Sequence, residues 1–201
     1  MSWGHFYFLI SDMPSEPKRW LRLRSEPHST TRIFDVKRTV FRHPDRTTAQ
    51  DFFVIDAPDW VNVIALTTDR HMILVKQFRY GIDDFSTEIP GGVVEKGEDF
   101  LAAGLRELRE ETGYVGDSAR FLGSVHPNPA IQNNRCHLVL VENARLESGL
   151  EWDADEELEI LLKPVDEVYA LAYSGGITHA LVLNALLLFS PHWAKLRASV
   201  V

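Results

Sequence analysis

Three glutamates, Glu107, Glu110 and Glu111, are spaced so that they could hold divalent cations together. On a helix, residues three and four apart lie on one face, so these carboxylates would share an edge. Like charges at this spacing weaken an isolated helix by roughly 0.2–0.5 kcal/mol per pair. A glutamate-rich helix is usually a solvated face, but a solvated face explains neither the glycine-rich approach nor Glu98. Carboxylate oxygens suit Mg²⁺ or Mn²⁺, so the pattern favours a cation site.

Two further features surround the acidic segment. Glycine lacks a side chain, so the loop at Gly91 and Gly92 would let a backbone carbonyl approach the same cations. Arg106 lies four residues before Glu110 and would offset part of the repulsion between the carboxylates. Arg79 ends a predicted strand that points towards the glycine loop, where it is either a clamp for an anion or an ordinary surface arginine.

The segment from residue 92 to residue 114 resembles the Nudix box, G-x5-E-x7-R-E-U-x-E-E-x-G-U, in which U is a bulky apolar residue. The matching residues are Gly92, Glu98, Arg106, Glu107, Leu108, Glu110, Glu111 and Gly113, and Tyr114 departs from the pattern at the last position. The resemblance implies the α/β/α sandwich of that superfamily and hydrolysis of a diphosphate attached to another group. It implies that Glu107, Glu110 and Glu111 hold catalytic Mg²⁺, with Mn²⁺ as the alternative. The Gly91 carbonyl would be a further ligand, and Arg106 would orient the glutamates.

Pyrophosphate hydrolysis also needs a base for the attacking water. The candidates are a glutamate of the box, with Glu110 among the catalytic residues, or a member of the acidic run Asp155, Glu156 and Glu157. That run is equally compatible with a solvated loop. In many Nudix enzymes a glutamate from this loop moves in when substrate binds, and on that resemblance we favour Glu156.

Outside the box, the chain resembles the ADP-ribose or ADP-sugar pyrophosphatase branch from about Trp20 onwards. The run from residue 73 to 80 looks like the strand before its box, and the run from 88 to 92 looks like its Glu-Leu-Pro-Ala-Gly. Pro129 stands where the branch carries a marker proline, and Ser174–Ile177 resembles its Gly-x-Ile turn. Carried over by position, the substrate contacts would be Trp20, Phe34, Arg38, Arg79, Glu88, Pro129 and Gln132.

The N-terminal strands resemble segments that form a small sheet exchanged between two subunits in ADP-sugar pyrophosphatases. The resemblance implies a homodimer in which Trp20 and Phe34 stack on the base and Arg38 meets phosphate. Both aromatic residues are equally compatible with packing in the sheet or the dimer. Residues 126–134 depart from the glycine-rich loop of ADP-ribose enzymes, and Gln132 or Asn133 there could contact a sugar. GDP-mannose and other nucleotide sugars therefore stay open as substrates.

Hydrophobic periodicity predicts the elements that carry these residues. The predicted strands span 20–24, 33–41, 51–55, 60–67, 71–78, 85–89, 119–125, 135–142 and 158–164, and the predicted helices span 98–112, 166–173 and 178–189. This order predicts a mixed α/β fold with a small N-terminal antiparallel sheet. We expect a poorly ordered N-terminus at 1–18, a small β-sheet segment at 19–57 and the Nudix domain at 58–201.

Composition limits the possible partners. The 201 residues are 45% hydrophobic and 25% charged, which is ordinary for a globular protein. A net charge of −8 argues against a nucleic-acid partner. No apolar run approaches the roughly 20 residues of a membrane span, and Phe6–Ile10 lacks the flanks of a signal peptide. The single cysteine, Cys136, excludes an internal disulfide and indicates the cytoplasm. It lies in a strand-like run, which favours a buried apolar role over a catalytic thiol.

Three functions of different kinds follow from these observations. The first is hydrolysis of a small-molecule nucleotide sugar to a nucleoside monophosphate and a sugar phosphate. The second is an RNA 5′-pyrophosphohydrolase or a dinucleoside polyphosphatase. The third is a non-catalytic regulator that binds nucleotide sugars, against which the intact box glutamates argue.

Overall fold

The computed structural model describes residues 16–147 and 157–198. The elements in chain order are β1 (Leu21–Thr30), β2 (Asp35–Arg42), β3 (Ala49–Asp56), β4 (Trp60–Thr67), β5 (His71–Arg79), β6 (Asp84–Glu88), β7 (Gly91–Val93), α1 (Phe100–Thr112), β8 (Tyr114–Val115), β9 (Arg120–Val125), β10 (Cys136–Leu146), β11 (Glu159–Pro164), α2 (Val165–Tyr173) and α3 (Ala180–Ala198). A three-stranded sheet is followed by a mixed sheet of eight strands that carries the helices. This is the mixed α/β fold that the sequence predicts.

The N-terminal sheet is antiparallel, with β2 between β1 and β3. All ten residues of β1 are exposed, and its pairing with β2 shifts register at two points. The sheet is joined to the rest of the chain at Ile55, whose amide donates to the carbonyl of Ile131 at 2.7 Å. The Ile55 carbonyl accepts from the amide of Asn133 at 3.2 Å. This junction connects the sheet to the loop that was predicted to contact a sugar.

The mixed sheet runs in the order β11-β5-β4-β10-β8, with β4 and β10 parallel. Strands β4 and β5, both predicted, form an antiparallel pair in which Leu66 lies opposite Met72. At the beginning of β4, residues 60–62 pair with β7. The sequence did not predict β7 as a strand, because three residues with two glycines carry no hydrophobic alternation. Its pairing places the glycine loop beside the sheet.

Alternation along β4 divides the core into two layers. Val61, Val63 and Ala65 face α1, whereas Ile64 and Leu66 face α2 and α3. Since successive side chains of a strand point to opposite faces, one buried strand serves both layers. The sheet therefore lies between α1 on one side and the two C-terminal helices on the other.

Helix α1 has a defined cap at each end. Asp99 Oδ2 accepts hydrogen bonds from the amides of Leu101 and Ala102, so the helix begins two residues later than its apolar spacing predicts. Gly113 ends it in the left-handed conformation, with φ 71° and its amide bonded to the Arg109 carbonyl. These caps fix which residues of α1 face β7.

The last helix is longer than predicted. It continues past Pro191 to Ala198 instead of ending at Phe189. Proline has no amide hydrogen to donate four residues back, but the Leu187 carbonyl accepts from the Ser190 hydroxyl at 2.8 Å. Trp193 beyond the proline packs on the core and donates Nε1 to Asp166 Oδ1 at 2.9 Å. Tertiary contacts therefore extend the helix through a residue that usually ends one.

Two predictions about composition can be compared with the structure. Burial raises the pKa of the Cys136 thiol to about 12, as expected for an apolar role. Over residues 16–147 and 157–198, no helix is long and apolar enough to cross a membrane.

Candidate active site

Strand β7 and helix α1 bring the glycine loop and the box glutamates into contact. A Cβ atom added at Gly92 would lie 2.5 Å from Glu107 Oε1 and 2.6 Å from Oε2. Real Cβ contacts are essentially never shorter than 3.0 Å. A larger residue at Gly92 would therefore displace the Glu107 carboxylate, which occupies the space of a side chain; a left-handed backbone is not the reason for the glycine.

Arg106 lies at the centre of the carboxylates. Its Nη1 donates to Glu107 Oε1 and to Glu110 Oε2, both at 2.9 Å. Its Nε donates to Glu98 Oε1 at 3.0 Å, and Nη2 donates to the Val93 carbonyl at 3.0 Å. Hydrogen bonding to Glu98 in the first place, then to Glu110 and Glu107, raises the pKa of Arg106 well above its ordinary value. The arginine thus stays charged and ties α1 to the loop, and its orienting role in catalysis stays a prediction.

Glu111 is the most enclosed of the three predicted metal ligands, with 4% of its surface exposed. The amide of Gly91 donates to Glu111 Oε2 at 3.0 Å. The Gly91 amide thus contacts Glu111, a predicted metal ligand. The predicted use of its carbonyl as a ligand stays a prediction.

A cleft of about 590 Å³ opens where these groups meet. It is lined by Gln77, Arg79, Gly91, Gly92, Val93, Glu95, Arg106, Glu107, Glu110 and Glu111. The lining brings the predicted metal ligands and the predicted clamp into one space. Four of its side chains are carboxylates and two are arginines, so it can hold cations on one side and an anion on another.

Arg79 is fixed in this cleft by a buried carboxylate. Its Nε donates to Glu88 Oε1 at 2.8 Å and its Nη2 donates to Oε2 at 2.7 Å, a bidentate pair. Glu88 itself is 2% exposed. Burial pushes the pKa of Glu88 upwards, but the hydrogen bonds and charge of Arg79 outweigh it, and the net shift is downwards. Glu88, a predicted substrate contact, therefore positions the arginine from behind and does not line the cleft.

The chemistry of the lining fits a hard divalent cation. Among the described residues, no three histidine, cysteine, aspartate or glutamate side chains are already grouped as a metal site. Hydrogen bonds instead direct Glu107 and Glu110 at Arg106, and Glu111 at the Gly91 amide. All three nevertheless line the cleft with oxygen donors, the type that Mg²⁺ and Mn²⁺ take. A cation would be held by these glutamates once Glu107 and Glu110 turn from Arg106.

Besides Glu88, five predicted substrate contacts are not among the residues that line the cleft. They are Trp20, Phe34, Arg38, Pro129 and Gln132. Trp20 lines a separate pocket of about 450 Å³ on the N-terminal sheet and meets the rings of His43 and Phe52 edge-on. Arg38 donates Nε to Asp51 Oδ2 at 2.7 Å within that sheet. One chain alone does not bring these two residues to the cleft.

The other three lie at turns. Phe34 is half-buried between β1 and β2, and its carbonyl accepts from the Thr31 hydroxyl at 2.6 Å. Gln132 forms a backbone bridge to Ile55, and Pro129 is exposed in the same loop. Of the acidic run, Asp155 and Glu156 lie outside the described residues, and Glu157 is exposed.

Three residues near the site were not predicted. Gln77 lies two residues before Arg79 on β5, so both side chains are on the same face and line the cleft. The two-residue repeat of a strand could have predicted this from the sequence. Glu95 lines it from the box loop, three residues before Glu98. His179 approaches Glu88 with Nε2 at 3.7 Å from Oε2. No sequence pattern links His179 to Glu88, because they lie on elements far apart in the chain.

The fold and the cleft define a hydrolase domain in which a capped helix presents carboxylates beside a glycine strand. Residues 58–183 match the family model described as NUDIX domain, so the chain belongs to the Nudix family and is a Nudix hydrolase. It is 32% identical over 134 residues to the ADP-ribose pyrophosphatase of Bacillus subtilis (strain 168), covering 66% of this chain and 72% of that protein.

Two further comparisons extend this likeness. The chain is 46% identical over 87 residues to the ADP-sugar pyrophosphatase of Mus musculus, covering 43% of this chain and 40% of that protein. The solved structure described as ADP compounds hydrolase matches with a TM-score of 0.78 and 22% identity, covering 92% of this chain and 98% of that chain. At that identity the structural match shows the fold.

Proposed function

We propose that this Nudix hydrolase cleaves the pyrophosphate of ADP-ribose or a related nucleoside diphosphate sugar, with Mg²⁺ as the cofactor. The products would be a nucleoside monophosphate and a sugar phosphate. The observation that carries the proposal is that Glu107, Glu110 and Glu111 line the same cleft as Arg79, whose guanidinium is held by Glu88. The relatives named ADP-ribose and ADP-sugar pyrophosphatase support the choice of substrate.

The glutamates would hold the cation, and Arg79 would hold the diphosphate. When bound, the cation would neutralise phosphate charge and lower the pKa of a water. Arg79 contributes a planar donor set whose orientation is fixed before substrate arrives, because buried Glu88 holds it in a bidentate pair. An arginine oriented in advance loses less entropy when it binds phosphate than a mobile one.

Two residues are proposed as the base for the attacking water. Glu110 is already in the cleft and shares Arg106 with Glu107, so releasing it from Arg106 would let it accept a proton. Glu156 is the alternative on the family resemblance. Single replacements of each by glutamine distinguish them, because only loss of the base should be rescued partly by raising the concentration of hydroxide.

We also propose a homodimer that completes the nucleotide site. Trp20 and Arg38 belong to a sheet whose surface carries exposed apolar side chains, namely Leu21, Leu23, Ile33, Phe52 and Phe53. A three-stranded sheet with an uncovered apolar surface gains stability from a partner. Exchange of this sheet between two chains would bring the aromatic pocket to the partner's cleft. The single cysteine is consistent with our prediction of a cytoplasmic location.

The test is a Mg²⁺-dependent turnover assay on ADP-ribose, GDP-mannose, a dinucleoside polyphosphate and a 5′-triphosphorylated RNA. We expect the nucleotide sugars to be hydrolysed and, in heavy-oxygen water, the label to enter a phosphate of one product. Label on the anomeric carbon of the sugar would overturn the proposed bond. Preferred cleavage of RNA or the dinucleotide would select the second function. Binding without turnover would select the regulator.

A further inference from the structure

The carboxylate of Glu88 is shared by two side chains that lie far apart in the sequence. Arg79 donates to both oxygens, and Nε2 of His179 lies 3.7 Å from Oε2, the oxygen that also accepts Nη2 of Arg79. That distance is too long for a direct hydrogen bond, so the contact is electrostatic. Because Glu88 is buried, screening by solvent is weak and the contact acts at short range.

The position of His179 is set by the backbone around it. Ile177, two residues before it, is 1% exposed in the core, and the His179 carbonyl accepts from the Leu183 amide at 3.1 Å to begin α3. The backbone of His179 is therefore held between a buried residue and the start of a helix.

The other imidazole nitrogen gives an independent reason to assign a role. His179 Nδ1 is buried and has no hydrogen-bond partner within the described residues. A buried polar atom without a partner is unfavourable, and an apolar side chain at this position would avoid that cost. The contact between Nε2 of His179 and the carboxylate of Glu88, which holds Arg79, gives a reason for an imidazole at this position.

We infer that His179 is a positioning residue for Arg79 and acts through Glu88. A diphosphate that binds Arg79 competes with Glu88 for the guanidinium. By supporting Oε2 from its other side, His179 keeps Glu88 in place, so the guanidinium keeps its orientation in the cleft. The consequence for turnover rests on the proposed function, whereas the effect on Arg79 in the substrate-free protein does not.

The first measurement is nitrogen-15 NMR of the arginine side chains in the substrate-free chain. His179→Leu removes both nitrogens at similar volume, and His179→Gln restores a donor near the position of Nε2. We expect His179→Leu to speed exchange of the Arg79 Nε–H about three- to tenfold with solvent, and His179→Gln to recover most of the wild-type protection. His192→Leu is the matched control, because His192 lies on α3 and pairs with Glu142, and neither residue lines the cleft.

The second measurement is kcat/KM for the nucleotide sugar that the wild type hydrolyses. His179→Leu should lower it about three- to tenfold, His179→Gln should restore it, and His192→Leu should leave it unchanged. In an Arg79→Ala background, His179→Leu should have almost no further effect, because residues that act through one another are not additive.

Two results would overturn the inference. One is an Arg79 Nε–H exchange rate that His179→Leu leaves unchanged in a folded protein. The other is an equal loss of kcat/KM from His179→Leu with and without Arg79. If the wild type hydrolyses no nucleotide sugar, the proposed function fails, and the NMR comparison alone still decides the role of His179.

Discussion

Replacing Gly92 by alanine should disable the site while leaving the fold stable. The added Cβ would lie 2.5 Å from Glu107 Oε1, whereas ordinary contact begins at 3.4 Å, so the carboxylate must move by about 0.9 Å. The three nearest atoms all belong to the Glu107 side chain, which is flexible at that end. The backbone of β7 is not forced to move.

The two expected magnitudes follow from this geometry. A displacement near 1 Å of a group that holds reacting partners costs on the order of a hundredfold in rate, so kcat/KM should fall about ten- to a hundredfold. Stability should change little or rise by about 0.4–1 kcal/mol, because Gly92 is outside the left-handed region and alanine restricts the unfolded chain.

The assay pairs initial rates at several Mg²⁺ concentrations with a thermal unfolding curve. Gly81→Ala is the control, since an added Cβ there meets no atom within 4 Å and its φ is not left-handed. Gly92→Ala should require more Mg²⁺ for half-maximal rate, because Glu107 is displaced from its place in the cleft. The control should behave as the wild type in both measurements.

One result would refute this reasoning. If Gly92→Ala is folded and keeps kcat/KM within twofold of the wild type, then the placement of Glu107 beside β7 does not matter for catalysis. A large loss of stability in Gly92→Ala would also contradict the expectation that only the Glu107 side chain moves, since it would show that the backbone has to move.

Four further predictions concern the same groups. Glu111→Gln should keep the circular dichroism spectrum and lose nearly all turnover, because an amide oxygen is a weaker ligand than a carboxylate for hard cations; activity near wild type would refute the assignment. Arg79→Ala should lower kcat/KM about ten- to a hundredfold, as loss of a charge-assisted phosphate contact of roughly 1.5–3 kcal/mol implies; no change would make Arg38 the better candidate. The pKa of Glu88 is lowered in the folded chain despite its burial. Its pair with Arg79 therefore contributes fully to the free energy of unfolding above the pKa that Glu88 has in the unfolded chain, and this contribution is lost as the pH falls through the pKa of Glu88 in the folded chain. Unfolding curves from pH 7 to 3 should therefore show a pH-dependent contribution that Glu88→Gln lacks, and identical profiles would contradict the pair. Sedimentation at micromolar concentration should show a homodimer, and a monomer alone would exclude the exchanged sheet.

Local sequence patterns were enough to locate the helix that carries the box glutamates. The spacing of Glu107, Glu110 and Glu111 needs only the helical repeat, and Gly113 ends α1 where the pattern predicts. Arg106 was assigned its role by resemblance, and the structure places its guanidinium between the carboxylates. These features are local, so neighbouring residues determine them.

Features that depend on contacts between distant residues could not be predicted from local sequence patterns. Strand β7 exists because residues 91–93 pair with β4, and α3 passes Pro191 because Trp193 and the Ser190 hydroxyl compensate. The role of Glu88 behind Arg79 needs the pairing of β5 with β6, which sets Val75 opposite Glu88. Single-sequence patterns report periodicity but not which distant partner will satisfy a group.

Strand β1 has a consequence for how copies of this chain can meet. Within the described residues its ladder partner is β2 alone, which makes it an edge strand that could template further strands. Pro27 removes one donor from that edge, the two register shifts bend it, and Arg22 and Arg24 add like charge. Open-ended stacking of strands, the route to fibrils, is therefore disfavoured at this edge. In the proposed homodimer, association would instead use the apolar surface of the sheet, where a closed pair would form and growth would stop at two.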